Sequence, residues 1–176
     1  MGGSQVRARR QALEVLQAAM QIERDGYTFY AAAARATKDS NAVKMFLSLA
    51  RDEMEHLGTL EAAYCALTKG RPWPAVKSSA APASNIFPAL QDAAPAVTPE
   101  TQELAALRQG IQAEMDSIAF YQQALDGAAD PRTQAMYERL VGEEGRHLSI
   151  LRAEYDCLTQ TGVWVNFQEF TIQVED

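Results

Sequence analysis

The sequence predicts an all-α protein: a bundle of four long helices, with one long crossover between the second and third helices and a short C-terminal extension. Four stretches place apolar residues alternately three and four positions apart, which is the spacing of one helix face. A proline-rich stretch separates the second from the third, as a bundle with one long crossover requires. The two halves also repeat each other at an offset of 91 residues.

The first pair of helices is predicted over about residues 8–38 and 40–69. Asp39 or Ser40 is a suitable N-cap for the second helix, and Gly70 is a suitable residue just beyond its end. The inward face of the first helix comprises Leu16, Met20, Glu23, Tyr27, Tyr30 and Ala34. That of the second comprises Phe46, Leu49, Glu53, His56, Leu60, Ala63 and Leu67.

The second pair is predicted over residues 99–127 and 131–160. Thr98 and Asp130 are N-cap residues, and each is followed by a proline, which is well suited to the first position of a helix. The inward face of the third helix comprises Leu104, Leu107, Ile111, Glu114, Ile118, Tyr121 and Leu125. That of the fourth comprises Tyr137, Leu140, Glu144, His147, Leu151 and Leu158.

Two segments lie outside these helices. The crossover, residues 71–97, contains five prolines, so no regular element is predicted there. Its larger apolar residues indicate that it lies against the bundle: Trp73, Ile86, Phe87 and Leu90. The tail, residues 162–176, alternates apolar and polar residues in part, which allows a short strand or a helix. We expect the tail to pack on the bundle or on another subunit.

Composition limits the class of protein. With 176 residues, 47 % of them hydrophobic, the chain suits a single domain over residues 1–176. A net charge of -7 argues against binding nucleic acid through a basic face. No apolar run approaches the roughly 20 residues that span a bilayer, so we expect no membrane partner and a cytoplasmic location. Cys65 and Cys157 form no C-x-x-C pair, and we expect both to be small buried residues.

The repeat superposes two Glu-x-x-His motifs, which hold both histidines of the chain. Residues three apart lie on one face of a helix, so each motif can present one oxygen and one nitrogen to the same point. The same offset superposes a lone glutamate of the first helix on one of the third. The predicted metal-binding set is therefore Glu23, Glu53, His56, Glu114, Glu144 and His147.

Charge balance favours a pair of metal ions. Four unpaired carboxylates inside a bundle would cost several kcal/mol each, and two divalent cations would neutralise them. Mixed carboxylate and imidazole ligands suit iron or manganese. We predict that Glu53 and Glu144 bridge the metals and that Glu23 and Glu114 are terminal ligands. A single Glu-x-x-His is more often a solvated surface pair, but two such motifs with matched glutamates at one shared offset favour the metal interpretation.

Residues beside this set could orient it. Tyr27, Tyr30 and Tyr121 fall one or two turns from the terminal glutamates, where they could hydrogen-bond to ligands or serve as ordinary core aromatics. Asp52 and Glu143 could hold the outer nitrogens of the histidines, or could belong to a solvated helix face. Gly26 and Ser117 are equivalent across the repeat, and their small size would leave room for oxygen or peroxide near the metals.

The whole pattern resembles the rubrerythrin branch of the ferritin-like superfamily. The resemblance covers nearly the whole chain, including the start of the tail, residues 162–170. It implies a ferritin-like bundle with two iron ions joined by an oxo or hydroxo bridge, with manganese as the alternative metal. It also implies an oxidoreductase in which the six ligands act through the metals. Ferrous iron would be oxidised by hydrogen peroxide or dioxygen and then re-reduced by a partner.

Two features depart from that family. No cysteine-ligated rubredoxin module is present in this sequence, so we expect a separate electron-donor protein such as a rubredoxin. Ser117 stands where typical members carry an extra glutamate, which makes the ligand set symmetric. An iron-binding or storage protein without sustained turnover is therefore the alternative, and a metal-free helical interaction module is a lesser one. We also expect a homodimer formed through helix faces.

Overall fold

The computed structural model describes residues 2–69, 86–87 and 99–165, with the side chains of residues 2–5 and 99–101 excepted. It is an all-α, ferritin-like four-helix bundle, as predicted. The helices are α1 (Gly2–Ala36), α2 (Ser40–Thr68), α3 (Pro99–Gly127) and α4 (Pro131–Thr161).

The bundle consists of two helix pairs. The short connections within each pair make α1 antiparallel to α2 and α3 antiparallel to α4, and α1 also contacts α3. The core between the helices is built from fully buried aliphatic and aromatic residues, with each leucine contributing about 1.5–3 kcal/mol. Its largest members are Leu16, Tyr30, Phe46, Leu49, Leu60, Leu107, Tyr121, Tyr137, Leu140 and Leu151.

The helix ends follow from local chemistry. The Asp39 carboxylate accepts backbone N–H groups at 2.7 and 3.2 Å at the start of α2, which confirms one of the two predicted N-caps. Asp130 does the same for α4 at 2.8 and 3.1 Å. The α4 helix stops at Gly162, whose φ of 70° is a left-handed conformation that glycine adopts readily. Thr98 and Gly70 lie outside the described residues.

Helix α1 begins earlier than the sequence indicates, at Gly2 rather than near residue 8. One contact that periodicity does not reveal supports this first part of the helix. The Arg9 guanidinium donates to the carbonyls of Leu67 and Thr68 at 2.7 and 3.0 Å, and so caps the end of α2. A cation is favourable at a helix C-terminus, where unpaired carbonyls carry partial negative charge.

The crossover touches the bundle through its two described residues. The Phe87 side chain is buried, and its ring lies 5.7 Å from the rings of both Phe29 and Tyr30. Ile86 is partly buried against the core. This agrees with the expected packing of the crossover, whereas Trp73 and Leu90 lie outside the described residues.

The start of the tail packs on the bundle. Trp164 is buried against Phe46, with ring centroids 5.9 Å apart, and its indole N–H donates to Glu103 at 3.1 Å. The backbone N–H of Val165 donates to the buried carboxylate of Glu154, also at 3.1 Å. The predictions for residues 166–176 fall outside the described residues.

The expectation for the cysteines is wrong. Cys65 is exposed and Cys157 is partly exposed, and they form no disulfide with each other. Cys65 follows the inward-facing Ala63 by two positions, which is about half a helical turn, so it points away from the core. Within the described residues, no helix combines the length and the apolarity needed to cross a bilayer.

Candidate metal centre

The six predicted ligands meet in the middle of the bundle. All are buried, with at most 3 % of any side chain exposed. They form two overlapping groups, in each of which one candidate ligand atom per residue lies within 4.8 Å of all the others. The first group is Glu23, Glu53, His56 and Glu144, and the second is Glu53, Glu114, Glu144 and His147.

The first group is arranged around the inner ring nitrogen of His56. Nδ1 lies 3.2 Å from Glu23 Oε2. It also lies 3.2 Å from Glu144 Oε1 and 3.7 Å from Glu53 Oε2. Three carboxylates from three different helices therefore converge on one imidazole.

The second group repeats this arrangement around His147. Its Nδ1 lies 3.0 Å from Glu144 Oε2 and 3.4 Å from Glu53 Oε1. Glu114 Oε1 completes the group at 3.6 Å. The two imidazole rings lie side by side, with centroids 5.6 Å apart and planes at 24°.

The shared carboxylates divide their oxygens between the two groups. Glu53 directs Oε2 toward His56 and Oε1 toward His147. Glu144 directs Oε1 toward His56 and Oε2 toward His147. A carboxylate that offers one oxygen to each of two adjacent positions has the geometry of a bridging metal ligand.

The outer nitrogens of the histidines face carboxylates on the opposite helix. Glu143 Oε2 on α4 lies 2.8 Å from His56 Nε2 on α2. Asp52 on α2 is paired with His147 Nε2 on α4 at 3.3 Å. In the neutral imidazole, which is the form that binds a metal, this pairing favours hydrogen on Nε2 and leaves the Nδ1 lone pair directed at the group. Asp52 and Glu143 therefore hold the outer nitrogens of the histidines, which is one of the two alternatives that the sequence left open. Each of them holds the histidine of the opposite helix.

Two of the three candidate tyrosines reach the carboxylates. Tyr30 on α1 donates its hydroxyl to Glu114 on α3, and Tyr121 on α3 donates to Glu23 on α1. Both rings are fully buried. Burial and the nearby carboxylates raise the pKa of each phenol well above its usual value, so both remain hydrogen-bond donors. The expectation for Tyr27 is wrong, because its side chain is 43 % exposed.

Burial and mutual repulsion act on the carboxyl groups. Burial, followed by the charge of Glu144, raises the pKa of Glu53 well above its usual value. The same two causes raise the pKa of Glu114 to about 7. Burial would also raise the pKa of Glu144, but contacts with the imidazoles of His147 and His56 outweigh it and lower the pKa to about 2.

The histidines respond in the opposite sense. Burial acts to lower the pKa of His56, but contacts with Glu144 and Glu23 outweigh it and raise the pKa to about 12. Burial is likewise outweighed at His147, where Glu114 and Glu144 raise the pKa far above its usual value. Protons on the imidazoles thus partly balance the carboxylates, and a metal ion must replace them in order to bind.

The donor atoms fit a pair of cations. Glu53 Oε1, Glu114 Oε2, both Glu144 oxygens and His147 Nδ1 are buried without a hydrogen-bond partner among the described residues. Unsatisfied buried polar atoms are unfavourable, and cations between these atoms would satisfy them. Oxygen and imidazole donors with no thiolate suit iron or manganese.

The structure also locates two residues that the sequence analysis did not assign to the site or to a buried helix face. Phe87 of the crossover covers the site beside Gly26, where an added Cβ would lie 3.2 Å from two of its ring atoms. The apolar residues of the crossover indicate that it packs on the bundle, but they do not indicate which part of the bundle Phe87 contacts. Glu154 is buried outside the centre, and it falls between Leu151 and Leu158 on the inward face of α4. The helical spacing alone could have identified it.

Comparison with known proteins places the chain. The family model for rubrerythrin matches residues 14–155. The chain belongs to the rubrerythrin family. A solved structure of a hypothetical protein from Pyrococcus furiosus shares the fold, with a TM-score of 0.64 and 22 % identity over 85 % of this chain and 90 % of that one. No curated protein matches the sequence.

Proposed function

We propose that this rubrerythrin-family protein is a non-haem di-iron oxidoreductase of the cytoplasm that reduces hydrogen peroxide or dioxygen. A separate donor protein such as a rubredoxin would return the electrons. One observation carries the proposal: Glu53 and Glu144 each direct their two oxygens to different four-residue groups. That arrangement suits two adjacent metal ions better than one.

The first group, with Glu23 and His56, would hold one iron, and the second, with Glu114 and His147, would hold the other. Two bound irons would supply the electrons that reduce peroxide to water, with two protons taken up for each peroxide. The protein supplies ligand geometry and a buried site that excludes bulk water.

The residues around the ligands hold them in place. Tyr30 and Tyr121 each tie a terminal glutamate to the opposite helix pair, so α1 and α3 are joined at the centre. Asp52 and Glu143 fix the imidazole tautomers from outside, and they are themselves partly exposed. These two carboxylates also provide a place where protons can pass between solvent and the histidines.

Iron loading followed by a turnover assay tests this function. The protein, purified without chelators, should hold two irons per chain and consume many equivalents of hydrogen peroxide when reduced rubredoxin is supplied. Protein that holds two irons but oxidises only once would support the alternative of iron binding or storage. Protein that binds no iron would refute both. The alternative of iron binding or storage is tested because Ser117 stands where typical members carry an extra glutamate, which makes the ligand set symmetric.

A further inference from the structure

Gly26 and Ser117 occupy equivalent positions in the two halves of the bundle. Each lies three residues after a terminal glutamate, Glu23 in α1 and Glu114 in α3, and the repeat superposes them. A Cβ added at Gly26 would lie 3.1 Å from the carboxyl carbon of Glu53. Gly26 therefore lies directly beside the shared carboxylate of Glu53.

The α1 side of the centre is closed by an aromatic ring. The same added Cβ at Gly26 would lie 3.2 Å from two ring atoms of Phe87. That ring is held in turn by Phe29 and Tyr30, each 5.7 Å away between centroids. An anion bound on this side would contact the apolar ring of Phe87. It would lose its hydration and gain no hydrogen-bond donor from that ring.

The α3 side presents a hydroxyl instead. Ser117 is 1 % exposed, and its Oγ has no hydrogen-bond partner among the described residues. Serine in a helix commonly returns its hydroxyl to the carbonyl four residues earlier, and Ser117 does not. Glu144 is the counterpart of Glu53 in the repeat, so the pseudo-twofold relation of the two halves predicts that the Ser117 side chain faces the Glu144 side of the centre. A hydroxyl is a poor ligand for iron beside four carboxylates, but it is a good donor to an anion.

We propose that Ser117 donates a hydrogen bond to a small anion, such as hydroperoxide, bound at the second group. Ser117 is then a positioning residue that directs the oxidant to the side of Glu114 and His147. The side of Glu23 and His56, covered by Phe87, does not receive it. This inference rests on the proposed di-iron function, because the anion must be held by a metal.

Azide, a small anion that binds ferric iron and gives a visible absorption band, is the probe. Iron is first measured in oxidised wild-type protein, in Ser117→Ala and in Thr133→Val, and each is then titrated with azide. Thr133 is the matched control, because its hydroxyl is also fully buried without a partner among the described residues. It precedes Glu144 by eleven residues on α4, which is about 16 Å along the helix.

We expect Ser117→Ala to bind two irons as the wild type does, while its dissociation constant for azide rises about tenfold, as loss of one hydrogen bond to an anion predicts. The azide band should also shift in Ser117→Ala alone. Thr133→Val should leave both the constant and the band unchanged. The melting temperature of Ser117→Ala should not fall below that of the wild type, because the removed hydroxyl has no partner.

Equal azide affinity in Ser117→Ala and wild-type protein would overturn the role of Ser117 and leave the di-iron proposal intact. An equal loss in both variants would also overturn it, because the effect would then be a general loosening of the core. Wild-type protein that binds no iron would overturn both proposals.

Discussion

The division of the carboxylates into shared and private ligands gives a direct prediction. Glu53 and Glu144 contribute to both groups, whereas Glu23 and Glu114 contribute to one group each. We predict that Glu53→Gln and Glu144→Gln each lose both metal ions. Glu23→Gln and Glu114→Gln should each retain one. Glutamine preserves the side-chain volume, so the comparison isolates the charge and the ligand oxygen.

The magnitude follows from linkage between binding and folding. A metal present at about 1,000 times its dissociation constant stabilises the protein by about 4 kcal/mol per site. For a chain of this length, each kcal/mol raises the melting temperature by about 2–4 °C. One occupied site is therefore worth about 8–16 °C. Variants of the shared ligands should lose the whole increase on metal addition, and variants of the private ligands about half of it.

The assay combines metal content with thermal unfolding. Each variant is loaded with ferrous iron without oxygen, freed of excess metal and analysed for iron per chain. Its melting temperature is then compared with that of the same variant in the absence of metal, so that each variant serves as its own control. If Glu23→Gln lost both ions, or if Glu53→Gln kept one, the assignment of shared and private ligands would be wrong.

Three further predictions concern the surroundings of the centre. Tyr30→Phe removes the hydroxyl that holds Glu114, and it should weaken metal binding at that position by about 10–100-fold, measured by competition with a chelator. Gly142→Ala should raise the free energy of unfolding by about 1 kcal/mol, because nothing lies near the added carbon, whereas Gly26→Ala should not gain, because the added carbon is crowded. Glu154→Gln should raise the melting temperature at neutral pH, because burial and a neighbouring acid raise the pKa of this carboxyl group.

The sign of the last prediction can be checked by varying pH. A group whose pKa is raised in the folded state weakens folding as pH rises through that pKa. The advantage of Glu154→Gln should therefore disappear below about pH 4, where the glutamate is protonated in both states. An advantage that persists in acid would contradict this explanation.

Each of the other two predictions has its own control. Tyr137 is also buried with an unpartnered hydroxyl in the described part of the chain, so Tyr137→Phe should leave metal affinity unchanged. Equal effects at Tyr30 and Tyr137 would remove the special role of the Tyr30 contact. If Gly26→Ala were as stable as Gly142→Ala, the side chains of Phe87 and Glu53 would have to move aside without cost, and the crowding predicted at Gly26 would be wrong.

Helical periodicity predicted the fold, and it predicted that the six candidate ligands lie in one layer of the bundle. It succeeded because residues such as Glu53 and His56 share a face whatever lies opposite them. The N-caps at Asp39 and Asp130 could also be predicted, because each depends only on backbone N–H groups two and three residues away. Features determined by sequence-local chemistry are therefore the ones that could be predicted.

Features that depend on packing between distant segments could not be predicted. The sequence left open whether Asp52 and Glu143 hold the histidines. The structure shows that each faces a histidine on the other helix, which depends on how α2 and α4 are rotated about their axes. Tyr27 lies about one turn after Glu23 on nearly the same side of α1. The buried face of the helix is too narrow to include it, so its side chain is exposed. Phe87 covers the site because its ring packs against Phe29 and Tyr30 of α1, a contact between segments far apart in the sequence.

The magnetic state of iron in the loaded wild-type protein tests the central claim most directly. Two ferric ions bridged by Glu53 and Glu144 should couple, so a low-temperature Mössbauer spectrum in a weak applied field should show a diamagnetic pair with two irons per chain. A spectrum of isolated, paramagnetic ferric ions would contradict a centre built on shared carboxylates.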